Sequence, residues 1–244
     1  MILLFTDFGT NGPYVGQMKS VLYDAAPDSV VIDLMHDAPK FDPKASAYLL
    51  SALSKFVPKD TIILAVVDPG VGHPARRPIM IQTDCHWFVG PDNGLFHRVV
   101  KDSRDVSCYE IVTDSNISSS FHGRDVFAPA ASQLVKQRLP RTHRITNSSL
   151  LKTNWPEELA EVIYIDHYGN AMTGLRAANI EKTAKLVISD VVVSYARTFS
   201  SVKKGELFWY KNSIGLVEIS QNLESVHKGL DINIGMPVAF HDKD

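Results

Sequence analysis

The sequence is poor in cysteine, in charge of one sign and in long apolar runs, and each shortage argues against a class of protein. Only two of its 244 residues are cysteines, Cys85 and Cys108, and they do not have the spacing of a metal site. We therefore expect a protein of the reducing cytoplasm. The formal net charge is −2, so no broad basic face points to nucleic acid. No apolar run approaches the roughly 20 residues that cross a bilayer, so we expect no membrane partner.

Several familiar motifs are missing as well. Without a G-x-G-x-x-G or P-loop sequence, a dinucleotide or NTPase site of the usual kind is not expected. There is no G-x-S-x-G nucleophile elbow, and the histidines show no H-E-x-x-H metal spacing. The first run, Met1–Phe5, lacks the charged front and the cleavage site of a signal peptide, and we interpret it as a core strand.

What the sequence does contain is a series of polar clusters at the ends of apolar runs. The run Thr61–Val67 ends in Asp68-Pro69-Gly70-Val71-Gly72, and Arg76-Arg77 follow. Met1–Phe5 ends in Thr6-Asp7-Phe8-Gly9, and His86–Val89 ends in Gly90-Pro91-Asp92-Asn93-Gly94. Open α/β sheets place their ligand sites beyond the carboxyl ends of strands. These clusters therefore indicate an enzyme or a small-molecule binder.

Strand-like and helix-like segments alternate over the first 140 residues, which predicts an N-terminal α/β domain, residues 1–145, with a mostly parallel sheet. The predicted strands are Met1–Phe5, Val30–Leu34, Thr61–Val67, Ile79–Gln82, His86–Val89 and Cys108–Val112. The predicted helices are Pro13–Ala26, Pro43–Phe56 and Arg124–Gln137.

The pattern changes near Leu139, where a connector rich in proline, serine and asparagine begins. Short alternating runs follow, which predict a smaller C-terminal all-β domain, residues 158–244, shaped as a barrel or sandwich. The predicted strands are Val162–Ile165, Leu186–Ser189, Val191–Ser194, Leu207–Tyr210, Leu216–Ile219 and Val238–Phe240.

Each candidate residue in the first domain also has a plain structural interpretation. Asp7 would accept hydrogen bonds from a ribose diol, or it would cap a helix or turn. Asp68 and one of Arg76 and Arg77 would face a ligand. Alternatively, Asp68 is a turn residue, and the arginines are a solvated surface pair or hold the loop shut through Asp68. His122 stands at the start of a helix, in Phe121-His122-Gly123-Arg124-Asp125, where it would reach a ligand or pack as a cap.

The second domain offers weaker signals. The segment Tyr164–Asn170 contains an acid, aromatic residues and an amide, but Asp166-x-x-Gly169-Asn170 also suits a hairpin turn. Asn212, Ser213 and Glu218 form another polar set on a β-patterned stretch, and buried polar groups need partners that a ligand would supply.

Taken together, the motifs resemble one family, the S-adenosyl-L-methionine (SAM) hydrolases that form adenosine, also called SAM hydroxide adenosyltransferases. The resemblance runs from Thr6 to about Val238, with the motifs in the family's order. It rests on Thr6-Asp7-Phe8-Gly9, Pro13-Tyr14-Val15-Gly16, Asp68-Pro69-Gly70-Val71-Gly72, Pro91-Asp92-Asn93-Gly94, Phe121-His122-Gly123-Arg124-Asp125 and Gly169-Asn170.

The resemblance implies an α/β domain followed by a β-barrel, assembled as a homotrimer with ligand sites at subunit interfaces. It implies a catalytic set that orders a water, Asp68, Arg76 and His122. The implied nucleoside contacts are Asp7, Asp68, Asn170, Ser213, Glu218 and Gln221. The loop His73-Pro74-Ala75 is about one residue longer than in some relatives, so Arg77 stays an alternative to Arg76.

The family is related to fluorinases and chlorinases, so the nucleophile could be either water or a halide ion. Halogenases generally lack the His of Phe-His-Gly-Arg-Asp and carry an insertion for which this chain has no room. The resemblance therefore implies that water attacks the ribose C5′ of SAM, which is the substrate, with no metal and no cofactor. A chloride-dependent transferase and a non-catalytic binder of SAM or adenosine remain the alternatives.

Overall fold

The computed structural model of the protein describes residues 1–113 and 118–241. The chain divides into two compact units. The first contains Met1–Ser51 and Val57–Asn154, and the second contains Ala52–Phe56 and the chain from Trp155 onward. Residues 242–244, which end the predicted second domain, lie outside the described residues.

The first unit is built on one seven-stranded sheet. Its strands are β1 (Ile2–Thr6), β2 (Val31–Met35), β3 (Thr61–Val66), β4 (Pro78–Thr83), β5 (His86–Pro91), β6 (Val106–Ile111) and β7 (Thr142–Ile145). Its α-helices are α1 (Tyr14–Ala25), α3 (His97–Asp102), α4 (Ala128–Val135) and α2 (Pro43–Ser54), of which the last three residues are assigned to the second unit.

The order of strands in this sheet is β2-β1-β3-β5-β4-β6-β7. The neighbours from β2 to β5 run parallel, whereas β5-β4, β4-β6 and β6-β7 are antiparallel. The predicted α/β architecture is confirmed, with the parallel pairs in one half of a mixed sheet. The register pairs Thr6 with Val66, so the residues just beyond them, Asp7 and the Val67-Asp68 step, leave the sheet at the same edge.

The core of this unit explains why the strands hold their register. Every residue of β1 and β3 is buried, as expected for central strands covered on both faces. Helix α1 packs with α4 and contributes Met18 and Leu22 to the core, both fully buried. Full burial of a side chain of this size stabilises the fold by about 1.5–3 kcal/mol. The packed core thus fixes the edge at which Asp7 and Asp68 emerge.

Two sequence predictions need correction, and one helix was not predicted at all. The predicted helix Arg124–Gln137 begins instead with a π-helical turn, Gly123–Phe127, and α4 follows it directly. The predicted connector contains β7, which the sequence hides because Thr142–Ile145 is short, partly polar and at the edge of the sheet. Helix α3 was missed, since its six residues span fewer than two turns and give no usable periodicity.

The second unit contains the other seven-stranded sheet, in the order β14-β10-β11-β12-β13-β9-β8. Its strands are β8 (Leu159–Ile165), β9 (Ala171–Arg176), β10 (Leu186–Ile188), β11 (Val191–Tyr195), β12 (Leu207–Lys211), β13 (Leu216–Gln221) and β14 (Ala239–Phe240), and a short helix α5 spans Val226–Leu230.

This sheet curls into a nearly closed barrel. Its two edge strands are linked by the segment before β14, because the Val162 amide donates to the Met236 carbonyl and the Val238 amide donates to the Ala160 carbonyl. The barrel-like β fold is therefore confirmed. Strand β9 was missed, because Gly174 interrupts its apolar pattern. A side chain at Gly174 would collide with Leu159 of the neighbouring strand. Glycine is uncommon within strands, but close packing of the two strands requires it here.

Candidate functional site

A cavity of about 400 Å³ lies at the edge of the first sheet where β1 and β3 end. Three predicted site residues, Asp7, Asp68 and His122, line it together, although they lie far apart in the sequence. The other lining residues are Phe8, Tyr14, Phe41, Val66, Val71, Ser120, Phe121, Gly123 and Phe127. The cavity therefore combines two carboxylates and an imidazole with a largely aromatic wall.

Asp68 occupies the most constrained position in this cavity. Its side chain is only 3% exposed, and its Oδ1 atom lies 3.0 Å from Arg76 Nε. The Gly70 amide also donates to Oδ1, at 3.2 Å. The other oxygen, Oδ2, is buried and has no hydrogen-bond partner among the described residues. A buried carboxylate oxygen without a partner is unusual and is available to a ligand or a water molecule.

The two neighbouring arginines face different partners. Arg76 approaches Asp68, but its Nε–H group is not directed along the 3.0 Å line to Oδ1, so the contact is an ion pair rather than a directed hydrogen bond. Arg77 instead donates through Nε to Asp92 Oδ2 at 3.1 Å. The structure thus brings Arg76, and not Arg77, to Asp68.

Asp7 is held by the loop that leads into α2. The backbone amide of Phe41 donates to Asp7 Oδ2 at 3.0 Å. Phe41 adopts a φ of +59°, a conformation that costs a non-glycine residue on the order of 1–3 kcal/mol and that clusters at functional sites. Burial raises the pKa of the Asp7 carboxyl, the charge of Asp68 adds to that effect, and the Phe41 amide opposes it.

His122 precedes the π-helical turn, and its half-buried ring lies edge-on to Phe127, with 6.4 Å between ring centroids. π-helical turns occur frequently at functional sites. The next two residues of the motif pair with each other, because Arg124 donates to both oxygens of Asp125. Of this motif's polar side chains, His122 is the one that lines the cavity.

Three aromatic rings form a continuous wall beside the acids. Phe8, Tyr14 and Phe121 contact one another in tilted or edge-to-face geometry, with centroids 5.3–5.9 Å apart. Such pairs stabilise a cluster by about 0.5–1.5 kcal/mol beyond the area that they bury. All three rings line the cavity.

Sequence reasoning missed a buried histidine behind the tip of β1. His36, at the end of β2, is 5% exposed, and its Nδ1 atom lies 2.8 Å from the hydroxyl of Thr6. Its Nε2 atom lies 3.0 Å from Asp33 Oδ1, although the N–H direction is poorly aligned with that oxygen. Because Thr6 and His36 are 30 positions apart, no local pattern indicates this contact.

A second cavity, of about 800 Å³, opens in the barrel of the second unit. It contains all four residues predicted there, namely Asn170, Ser213, Glu218 and Gln221. The other lining residues are Asp166, Tyr168, Met172, Phe199, Tyr210, Asn212, Leu223, Glu224 and Ser225. The predicted residues therefore fall into two groups, one in each unit.

Glu218 is the buried acid of this second cavity, with 2% of its surface exposed. Tyr210 donates its hydroxyl to one carboxylate oxygen, and Asn212 Nδ2 donates to the other at 2.9 Å. Burial raises the pKa of the Glu218 carboxyl, and the two donors oppose that effect. Burial and the neighbouring carboxylate also raise the pKa of Tyr210. Asn212 belongs to the polar set that the sequence singled out, whereas Tyr210 has a contact here that its own sequence context did not indicate.

Asn170 is oriented by the hairpin that the sequence predicted. Its side-chain Nδ2 donates to Asp166 Oδ2 at 2.8 Å, and its backbone amide donates to Asp166 Oδ1 at 2.9 Å. Gln221 donates to the Gly205 carbonyl at 3.1 Å, whereas Ser213 is exposed. Asn170 thus takes part in the hairpin turn and also lines the cavity.

Size alone does not mark the site. A separate cavity of about 580 Å³ in the first unit is lined by residues of α3, the ends of β4 and β5, and the chain from Asn147 to Asn154. It contains none of the predicted catalytic or nucleoside residues.

Residues 1–113 and 118–241 contain no cluster of three or more histidine, cysteine, aspartate or glutamate side chains arranged to hold a metal. In the same ranges, no helix is long and apolar enough to cross a membrane.

The α/β sheet with acids at its strand tips, together with the barrel and its buried carboxylate, defines an enzyme that acts on a small polar ligand. The sequence matches the SAM hydroxide adenosyltransferase N-terminal domain over residues 2–143 and the C-terminal domain over residues 160–239. The chain belongs to this family, and the resemblance inferred from its motifs is confirmed.

The names of similar proteins agree with membership of this family. A protein of Thermus thermophilus named (R)-S-adenosyl-L-methionine hydrolase is 34% identical, over 97% of this chain and 98% of its own length. One of the same name from Salinispora arenicola is 31% identical, over 89% and 88%. A crystal structure of an uncharacterized conserved protein from Thermotoga maritima superimposes with a TM-score of 0.87 at 28% identity, over 99% of this chain and 100% of that one. Fluorinases are more distant, at 23% identity for that of Actinopolyspora mzabensis.

Proposed function

We propose that this protein hydrolyses SAM, in the (R) configuration at sulfur, to adenosine and L-methionine. The names of its relatives support both the reaction and the epimer. The observation that carries the proposal is the convergence of Asp7, Asp68 and His122 on one cavity, with Arg76 against Asp68. These groups suit a reaction that needs a water molecule held beside a bound ribose.

The reaction balances without any other reactant. The oxygen of water forms a bond to C5′ of the ribose, while the C5′–S bond breaks and its electron pair neutralises the sulfonium. Adenosine and methionine leave, and one proton of the water is released. The sulfonium is already a good leaving group, so placing the water in line with C5′ is the main requirement.

Each catalytic residue has a distinct task in this proposal. Asp68 uses its unpartnered Oδ2 to orient the water and to accept its proton. Arg76 and His122 stabilise the negative charge that the water oxygen carries once Asp68 takes its proton. A carboxylate is a weak base for free water, so charge stabilisation by Arg76 has to carry part of the catalysis.

The nucleoside contacts complete the proposal. Asp7 and Asp68 accept hydrogen bonds from the ribose hydroxyls, because a carboxylate suits a diol. The contacts from the barrel are Asn170, Ser213, Glu218 and Gln221. We infer a homotrimer in which one subunit supplies the first group and the next subunit supplies the second. We also propose a cytoplasmic enzyme that needs no metal and no cofactor.

One incubation tests the reaction against its alternatives. The purified protein is mixed with both sulfonium epimers of SAM in chloride buffer with EDTA, and the products are separated by chromatography and weighed by mass spectrometry. We expect adenosine and methionine, with only the (R) epimer consumed. Chloro-deoxyadenosine would instead identify a halide transferase, and binding without turnover a SAM-binding protein. Complete dependence on a divalent ion would contradict the proposed mechanism.

A further inference from the structure

The turn after β5 contains two buried polar side chains that the proposed reaction does not use. Asp92 is 8% exposed and Asn93 is 6% exposed, in the motif Pro91-Asp92-Asn93-Gly94. Buried polar groups are retained where they have partners. The hydrogen-bond partners of Asp92 and Asn93 therefore indicate the role of this turn.

Asn93 holds the residue before Asp68 and reaches Asp68 itself. Its Nδ2 atom donates to the Val67 carbonyl at 2.7 Å and approaches Asp68 Oδ1 at 3.5 Å. Its Oδ1 atom accepts from the Leu95 amide at 3.1 Å. Since the Leu95 amide needs an acceptor and the Val67 carbonyl needs a donor, the amide has one satisfactory orientation, with its NH2 group toward Asp68.

The contacts of Asp68 are therefore one-sided. Gly70 N, Arg76 Nε and Asn93 Nδ2 all lie around Oδ1, at 3.2, 3.0 and 3.5 Å. Oδ2 receives no hydrogen bond from the described residues. Three positive or partly positive groups on one oxygen fix the rotation of the carboxylate and reserve the other oxygen.

Asp92 holds both arginines in place through hydrogen bonds. Its backbone carbonyl accepts from an Arg76 terminal nitrogen at 3.1 Å. Its carboxylate accepts from Arg77 Nε at 3.1 Å and from the Leu151 amide at 2.9 Å, and its own amide donates to the Arg77 carbonyl at 2.9 Å. Arg77 thus anchors the turn, while the same turn directs Arg76 toward Asp68.

We propose that Asp92 and Asn93 are positioning residues that set the carboxylate rotation of Asp68 and the placement of Arg76. Neither residue lines the cavity with Asp7 and His122, so they act through Asp68 and Arg76 rather than on the ligand. The catalytic consequence rests on the proposed hydrolysis, whereas the geometric claim stands by itself.

The sharpest variant is Asn93→Asp, which keeps the size of the side chain and an oxygen for Leu95 but replaces the NH2 donor with a carboxylate oxygen beside Asp68. We expect kcat to fall by about 10- to 100-fold, the scale of a misplaced catalytic group. The dissociation constant for adenosine should rise by a smaller factor, because the other proposed nucleoside contacts, Asp7 and the barrel residues, are unchanged. In an Asp68→Ala background, Asn93→Asp should add almost nothing, because residues that act through each other are not additive.

Asn233→Asp is the matched control. Asn233 also donates its Nδ2 to a backbone carbonyl, that of Asp231 at 3.0 Å, but it is exposed and lies in the second unit. This variant should leave kcat unchanged. Additive effects of Asn93→Asp and Asp68→Ala, or an equal loss in the control, would overturn the positioning role.

A crystal structure of Asn93→Asp tests the geometry without any need for turnover. We expect the Asp68 carboxylate to rotate and its Oδ1–Arg76 Nε separation to grow beyond 4 Å. An unchanged Asp68–Arg76 pair would overturn the proposal, even if the variant were inactive. An inactive wild-type protein with the expected rotation in the variant would instead reject the proposed function alone.

Discussion

The hydroxyl of Thr6 lies 2.8 Å from Nδ1 of His36, which joins the tips of β1 and β2 directly behind the carboxylate of Asp7. The Thr6 oxygen also accepts from the Phe8 amide at 3.3 Å, so its proton is free to be donated to the ring. That arrangement leaves Nε2–H for Asp33, whose other oxygen receives Lys19 Nζ at 2.7 Å. A chain of polar contacts thus runs from the surface to the residue before Asp7.

We predict that Thr6→Val destabilises the protein, because the substitution keeps the shape but leaves Nδ1 of a buried histidine without a partner. An unsatisfied buried group costs about 1–3 kcal/mol. The free energy of unfolding, measured by urea denaturation, should fall by that amount. Thr6→Ser retains the hydroxyl and should lose less. No loss in Thr6→Val, together with a clear loss in Thr6→Ser, would show that the methyl group, and not the hydrogen bond, stabilises this position.

The Thr6–His36 contact also shows where sequence reasoning stops. The strand tips that carry Asp7 and Asp68 could be predicted, because apolar runs that end in acid and glycine mark the carboxyl edge of a parallel sheet. His36 could not, since its partner is 30 residues away and its own surroundings contain no motif. Local sequence patterns indicate which strand ends at the carboxyl edge of the sheet. Contacts between the ends of different strands depend on tertiary packing and are not visible in such patterns.

The second unit shows the same division between local and distant information. Glu218 was selected as a polar residue on a strand, but the strand pairing that places Tyr210 opposite it is visible only in the sheet. Likewise, neither arginine of the Arg76-Arg77 pair is distinguishable by sequence. Asp92, 15 residues beyond Arg77, holds that arginine and leaves Arg76 for Asp68. The roles of these site residues remain predictions that mutation can test.

The catalytic set should affect turnover more than nucleoside binding. We predict that Asp68→Ala, Arg76→Ala and His122→Ala each lower kcat by about 100-fold or more, the scale of losing a group that stabilises developing charge. Adenosine affinity, measured by calorimetry, should hardly change in Arg76→Ala and His122→Ala, because these two groups act on the water. In Asp68→Ala the affinity should also fall, since Asp68 is a proposed ribose contact, but by a smaller factor than kcat. If Arg77→Ala abolished turnover while Arg76→Ala were silent, the assignment would be wrong by one residue.

Gly70 offers a way to move Arg76 without mutating it. A Cβ atom at this position would lie 2.5 Å from a terminal nitrogen of Arg76, so Gly70→Ala must push the guanidinium away. Because the end of a long side chain yields easily, the melting temperature should change little while kcat falls. Gly16→Ala is a useful control, since a Cβ there meets nothing within 4 Å. A normal kcat in Gly70→Ala would mean that the placement of Arg76 is unimportant.

Binding of adenosine should weaken on acidification sooner than an ordinary carboxyl would allow. Burial raises the pKa of both Asp7 and Glu218, so each takes up a proton at a higher pH than usual. Only the deprotonated form accepts hydrogen bonds on both oxygens, hence affinity is present above the raised pKa values and lost as pH falls through them. Calorimetric titrations between pH 4 and 8 measure this midpoint. In Glu218→Gln the remaining pH dependence should reflect Asp7; an unchanged profile would exclude Glu218 as its source.

The division of the predicted contacts between two units leads to the last prediction, which concerns assembly. Asp7 and Asp68 line a cavity in the first unit, whereas Asn170, Ser213 and Glu218 line one in the second. If neighbouring subunits share each nucleoside, light scattering should give the mass of a trimer, three times 27.1 kDa.

Mixing two inactive proteins tests the sharing directly. Asp68→Ala damages only the first group of contacts and Asn170→Ala only the second. After subunit exchange, a mixed trimer contains an interface at which an intact first group meets an intact second group, so part of the activity should return. Exchange is verified by mass spectrometry of differently tagged subunits. No recovery despite proven exchange, or a fully active monomer, would show that each chain builds its own site.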